Sequence, residues 1–238
     1  GKAKLITATN VFAHIDDIHQ VIKNIVKILD KDGVFVSESH YFVSLIKTVQ
    51  YDTIYHEHMR YYSLTSLNYL FKKYGLKIFH AKEIPTHGGS NKYRVRSSVK
   101  KILSSEKKYL TFSKFEKFKN DVIKSKISLY ALLKKIKSQN KLVFGVGAPS
   151  RAATLVNYVG LNEDIIKYIL EIKGSYKIGK YMPGTNIPII DENFIKKEKP
   201  DYLLLLSWHI SKSLIKNFKK KGFKGKFILP LPVPRIVK

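Results

Sequence analysis

The sequence predicts an α/β fold with a mostly parallel sheet, and three observations lead to it. From Lys141 onward, short apolar runs that suit strands alternate with runs at helical spacing, the order that builds a parallel sheet wrapped by helices. The stretch "FGVGAPSRAA" (144–153) puts a glycine pair at a strand-to-helix turn, with Pro149 suited to the first turn of a helix. Residues 1–99 read strand, helix, strand, helix and then a strand pair, like the second half of an α/β sheet that lacks its first strands.

The elements follow in order. "KLITATNVF" (4–12) is an opening strand. "DDIHQVIKNIVKIL" (16–29) sets Ile18, Val21, Ile22, Ile25, Val26 and Leu29 at helical spacing, "DKDG" closes that helix, and "VFVSES" (34–39) is the next strand. "SLTSLNYLFKKYG" (63–75) is a helix with Ser63 as N-cap and Gly75 as its stop. "LKIFHAKEI" (76–84) and "KYRVRSSV" (92–99) are strands joined by the turn-rich "PTHGGSN". Residues 102–139 contain no proline or glycine and interleave lysine with Leu, Ile, Phe and Tyr, which predicts one long helix or two between domains. Beyond it come the strand "KLVFGVGA", the helix "PSRAATLVNYVG", the strand "IIKYILEI", the helical "DENFIKKEKP", the strand "DYLLLLSW", the helix "SKSLIKNFKKKG" and a final strand "KFILPLP". The expected domains are 1–100, a helical linker 101–140, and a small α/β domain 141–238.

Composition narrows the function. With 238 residues, 44% hydrophobic, the chain can build one large or two small cores. Its longest aliphatic run, "LLLL" (203–206), falls far short of the roughly 20 residues of a membrane-spanning helix. No charged leader precedes an apolar stretch and there is no cysteine, so a cytoplasmic protein without disulfides or thiolate metal ligands is expected. The net charge of +26 raises nucleic acid as a partner, but 39 lysines stand against five arginines. Surfaces that read bases or fork phosphates lean on arginine, so these charges read as solvated faces.

Two stretches carry chemistry. "YDTIYHEHMRYYS" (51–63) packs four tyrosines, two histidines, a glutamate and an arginine into a run without glycine, proline or asparagine. Its "YHEH" (55–58) admits a metal site, a structural role or acid–base catalysis. The spacing is not H-E-x-x-H and no third ligand presents itself, which leaves the acid–base reading ahead: a histidine titrates near neutral pH and a neighbouring carboxylate can tune it. In a straight strand Tyr55 and Glu57 would face away from His58, so joint action requires a loop or turn. In "FGVGAPSRAA", Gly145 and Gly147 with Arg151 suit a phosphate or pyrophosphate, with tight packing as the competing explanation. Ser150 stands where a dinucleotide fingerprint needs its third glycine, and Glu171 is the one candidate ribose-binding acid about 20 positions on.

"TNVFAHIDD", "YDTIYHEHMRYYSLTSL", "PTHGGS", "GVGAPSRAATLVNYVG" and "PLPVPRIV" occur in an order that resembles the sugar C-methyltransferases, over nearly the whole chain. These enzymes use S-adenosyl-L-methionine to methylate C-3′ of nucleotide-linked 4-keto deoxysugars. The resemblance implies the C-terminal half of a Rossmann-like methyltransferase domain, followed by an α/β domain that binds a nucleotide-diphosphate sugar. The family's zinc-binding N-terminal domain and glycine-rich cofactor loop would precede Gly1, so this chain is expected to be a fragment, with zinc only in the part before it. The resemblance makes His58 the base that removes the C-3′ proton, with Tyr55 and Glu57 completing its setting and His14 facing the same pocket. It places Asn10 beside the cofactor, and His87, Gly88, Gly145, Gly147, Arg151 and Asn157 on the substrate. Arg151 stands where the family usually has lysine, and His209 and Ser213 stand where asparagine and glutamate are expected. A non-catalytic nucleotide-sugar-binding module and a nicotinamide-dependent oxidoreductase are the alternatives; no nucleic acid or membrane partner is expected.

Overall fold

A computed structural model describes residues 1–84, 90–92 and 96–238; His87 and Gly88 lie outside the described residues. Contacts divide the chain into two compact units, Gly1–Thr48 with His56–Phe118, and Val49–Tyr55 with Lys119–Lys238. The fold is α/β with parallel strands in both units. Among the described residues no helix is long and apolar enough to cross a membrane.

In the first unit β1 (Ala3–Thr9) pairs parallel with β2 (Leu29–Glu38), and α1 (Ile18–Ile28) connects them. Asp17 caps α1 by accepting from the Gln20 N–H at 2.9 Å. Ile18, Ile22 and Ile25 recur on one face and are buried with Phe12, Tyr62, Leu67 and Phe71. "DKDG" does not close α1 but lies within β2, where the pairing jumps from Ala3↔Leu29 to Leu5↔Val34. The surplus residues form a bulge, and Gly33 is needed there because a Cβ would come within 2.8 Å of the Ala3 carbonyl oxygen.

A short α2 (Phe42–Lys47) follows β2; six residues give too little periodicity to be read in sequence. α3 (Leu64–Lys72) starts at a capping box, Ser63 accepting from Ser66 N–H while the Ser66 hydroxyl accepts from Ser63 N–H. The strand pair is shorter than expected: β3 (Lys82–Ile84) and β4 (Ser90–Lys92) run antiparallel. The strand expected to reach residue 99 gives way to α4 (Arg96–Glu106). Val99, Ile102 and Leu103 fall at i, i+3 and i+4, and they pack on Leu64 and Ala81, which favours helix over alternation. α5 (Phe112–Ser138) completes the glycine-free run, so that run holds two helices.

The second unit holds a six-stranded sheet in the order β10-β9-β8-β5-β6-β7, made of β5 (Val143–Val146), β6 (Ile169–Glu171), β7 (Ile189–Asp191), β8 (Tyr202–Leu205), β9 (Lys226–Leu229) and β10 (Arg235–Val237). All neighbours are parallel except β10, an antiparallel edge strand absent from the sequence reading. α6 (Ser150–Val159) links β5 to β6, and α7 (Ser211–Lys220) links β8 to β9. "DENFIKKEKP" yields only a 3-10 turn at Glu192–Lys196. Phe144, Val146, Leu203, Leu205, Phe227 and Phe218 form the core on one face of the sheet. From β5 the chain first builds outward through β6 and β7, then returns to build the other side through β8. The order therefore reverses between β5 and β8, which opens a crevice beyond their carboxyl ends.

Candidate active site

Three histidines from separate segments meet in the first unit. His14 ends the short turn after β1, His40 follows the end of β2, and His58 belongs to "YHEH". The His58 ring lies 4.9 Å from both the His14 and His40 rings, and 6.2 Å from Tyr61. His58 is 8% exposed. The group stands at the carboxyl ends of two parallel strands, where open α/β sheets place their ligands.

Hydrogen bonds staple the His58 segment to the turn after β1. Met59 N–H donates to Ala13 O at 2.9 Å, Arg60 Nη2 donates to Asp16 O at 2.7 Å, and Arg60 Nη1 donates to Ile15 O. His14 Nδ1 lies 2.8 Å from the carbonyl oxygen of Glu57. A carbonyl only accepts, so His14 must carry its proton on Nδ1, and in the neutral ring Nε2 keeps the lone pair. The segment is a turn, as joint action of its side chains requires. The Glu57 carboxylate, however, lies 4.0 Å from exposed His56, while its backbone carries the bond to His14. Tyr55 falls in Val49–Tyr55, the segment grouped with the second unit. His40 was missed in the sequence, because a lone histidine after a strand carries no local signal; Arg60 and Tyr61 stand in the stretch the sequence singled out but were given no role of their own.

At the crevice of the second unit, Asp52 is fully buried and receives three donors. Arg151 Nε donates to Oδ2 at 2.7 Å, Arg151 Nη2 donates to Oδ1 at 3.0 Å, and Trp208 Nε1 donates to Oδ2 at 2.7 Å. Arg151 Nη1 lies 3.3 Å from His209 Nδ1, which must accept because a guanidinium only donates. The guanidinium also sits 5.1 Å over the Trp208 ring. The fork assigned to a pyrophosphate in the sequence is thus engaged by a carboxylate of the same chain.

The glycine turn serves two purposes. Gly145 lies in β5 with its Cβ position 3.0 Å from Ile169 and Leu206, which is close packing. Gly147 has φ 85° and faces Ser207, whose hydroxyl any Cβ would overlap. Asn157 Nδ2 donates to Ala153 O and Pro183 O, both at 2.8 Å, holding the turn at Gly184. Asn10, at the end of β1, has φ 53° and donates its N–H to Glu38 O at 2.8 Å. A separate cavity of about 380 Å³ opens beside β2, lined by Val34, Phe35, Phe71, Leu76 and Ile78 among others. None of the three clustered histidines lines it, so its size does not make it the site.

Parallel strands with polar groups gathered at their carboxyl ends define an open α/β protein of the ligand-binding kind. The chain belongs to the C-methyltransferase C-terminal domain family, whose model matches residues 83–232. A methyltransferase-domain model matches residues 1–81. The chain is 33% identical over 251 aligned positions to the C-methyltransferase NovU of Streptomyces niveus, with all of this chain covered and 59% of that protein. It thus spans well under two thirds of that relative's length. The methyltransferase match implies S-adenosyl-L-methionine. The residues present fit it at two points: Glu38 brings a carboxylate to the end of β2, and Tyr61, whose ring lies 6.2 Å from that of His58, brings an aromatic ring of the kind that attracts a cationic sulfonium.

Proposed function

We propose that this protein acts in C-methylation at C-3′ of a nucleotide-linked 4-keto deoxysugar, with His58 as the base. The observation that supports it is the burial of His58 between His14 and His40 at the ends of β1 and β2. In this reading residues 1–100 are the later part of a Rossmann-like methyltransferase domain, 101–140 a helical linker and 141–238 the nucleotide-sugar-binding domain. The protein works in the cytoplasm, the setting its cysteine-free composition suits.

The 4-keto group acidifies the neighbouring C–H bond. His58 takes that proton, and the electron pair of the broken bond moves into an enolate. A tyrosine hydroxyl, Tyr55 in our assignment, donates to the enolate oxygen. His14, with its proton held on Nδ1 by the Glu57 carbonyl, presents Nε2 as acceptor and buttresses the His58 ring. Asn10 and Glu38 would hold S-adenosyl-L-methionine, which when bound would supply an electrophilic methyl group to the carbanion, the electron pair of the methyl–sulfur bond returning to sulfur as a neutral thioether. Positioning then accounts for most of the remaining barrier reduction.

The test follows the C-3′ hydrogen. With a nucleoside-diphosphate 4-keto deoxysugar in D₂O, His58→Asn should slow exchange of that hydrogen by about 10²–10⁴, the usual contribution of a positioned base. His56→Asn, altering an exposed ring, should leave exchange unchanged. Exchange at the wild-type rate in His58→Asn would remove His58 as the base and make His14 the next candidate. Binding of the sugar without any exchange in the wild type would favour a non-catalytic binding module.

A further inference from the structure

We infer that Arg60 is a positioning residue for the histidine cluster, its guanidinium setting the separation and tilt of His14 and His58 through main-chain bonds. This rests on the reading of His58 as the base and gives a role to a residue that has none there. His58 stands in irregular chain, between the turn at 56–57 and the bridge of Tyr62 to Tyr41. Neither a helix nor a strand holds it, so its anchors come from across the chain. They lie on four consecutive residues after β1. Met59 N–H donates to Ala13 O at 2.9 Å, and His14 Nδ1 donates to Glu57 O at 2.8 Å. Arg60 supplies the other two, donating from Nη1 to Ile15 O and from Nη2 to Asp16 O, the latter at 2.7 Å.

Ile15 and Asp16 lie between the short turn Phe12–His14 and α1, where regular structure leaves carbonyls in need of a donor. A guanidinium meets both at once because its donors form a rigid planar fork, and its charge strengthens each bond. A lysine ammonium is a single point on a flexible stem and cannot fix both directions. The chain uses lysine 39 times and arginine five, so charge alone does not call for arginine here. The fork clamps the chain two residues beyond His58 to the chain one and two residues beyond His14. The two rings are thereby held with centres 4.9 Å apart and planes at 57°. Rate is sensitive to such placement, since a shift of about 1 Å in a reacting group can cost about 10²-fold.

Three measurements on the whole protein test the inference. In nitrogen NMR of protein labelled at histidine, wild-type His14 should show one tautomer, protonated at Nδ1, and Arg60→Met should show a mixture. Hydrogen exchange of the Met59 amide should quicken by roughly 10-fold or more in Arg60→Met, the effect of a charge-assisted bond, with the amides of β1 and β2 little changed. With a nucleoside-diphosphate 4-keto deoxysugar in D₂O, Arg60→Met should slow C-3′ exchange by about 10²-fold while affinity for the sugar stays the same. Arg60→Lys, which can keep one of the two bonds, should fall between. Wild-type behaviour of Arg60→Met in all three overturns the inference. So does protection lost evenly over β1, α1 and β2, which marks a residue that only stabilises the unit. Should Arg60→Met fail to fold, C-3′ exchange at the wild-type rate in Arg60→Lys overturns it instead. If the wild type itself exchanges no C-3′ hydrogen, the base reading falls, and the tautomer of His14 and the Met59 amide still decide the role of Arg60.

Discussion

Arg151 and Asp52 form a buried, two-pronged ion pair, with the arginine 7% exposed and the carboxylate fully covered. Desolvation makes such a pair a modest contributor as a whole but makes half of it very costly. Arg151→Ala leaves a buried carboxylate with Trp208 as its remaining side-chain donor among the described residues, so urea denaturation should show a loss of about 3–5 kcal/mol. Arg151→Lys should recover little, because one ammonium cannot span both carboxylate oxygens as the fork does. Combining Arg151→Ala with Asp52→Ala should cost less than the two single losses added together, since no charge is then stranded. Arg151 was legible as a special residue, alone among few arginines and next to a glycine turn. Its partner was not, because Asp52 lies 99 positions away in the chain.

At the scale of elements, α3 depends on a residue from α4. Glu106 is fully buried, and its two oxygens accept from Leu64 N–H at 2.7 Å and Thr65 N–H at 2.8 Å. A carboxylate there satisfies orphan donors and meets the positive end of the helix dipole. Glu106→Ala should lower stability by about 1.5–3 kcal/mol, the scale of a charge-assisted hydrogen bond, with loss of helical signal in circular dichroism. Glu106→Gln should cost less, since one oxygen remains. The capping box at Ser63 was readable because cap and partner are three residues apart. The second cap was not, because Glu106 reaches Leu64 and Thr65 from another helix, 42 and 41 positions away in the chain. Residues 92–99 suit a strand only while the window stops at Val99; Ile102 and Leu103 complete the helical spacing beyond it.

For the molecule as a whole, burial sets a dependence on alkaline pH. Burial, chiefly, raises the Tyr51 hydroxyl above the ordinary phenol value, and burial likewise raises Tyr62. A raised pKa for a group that loses a proton means that folding favours the protonated form. That stability is fully present below the unfolded value of about 10 and is lost as pH rises toward the higher folded value. Tyr51→Phe should therefore differ from wild type by a constant amount in urea midpoint up to about pH 9, and the gap should narrow, or shift in the variant's favour, above pH 10. A gap constant to pH 11 would show that Tyr51 does not titrate with folding. The sequence by itself determined what depends on neighbours in the chain: the alternation of strands and helices after Lys141, the face of α1, the cap of α3, and the glycine turn that only Gly147 can make. Family membership was legible in ordered motifs for the same reason, since a motif is a local string. What only the tertiary structure decided is which distant side chains share a site. His40 joins His14 and His58 because parallel strands bring their carboxyl ends together, and Arg151 meets Asp52 rather than solvent because the fold buries both. Glu171 faces Ala148 because β6 lies beside β5 in the sheet. Such pairings cost the unfolded chain a long loop closure and are chosen only when the sheet and its packed faces form, so no short window of sequence contains them.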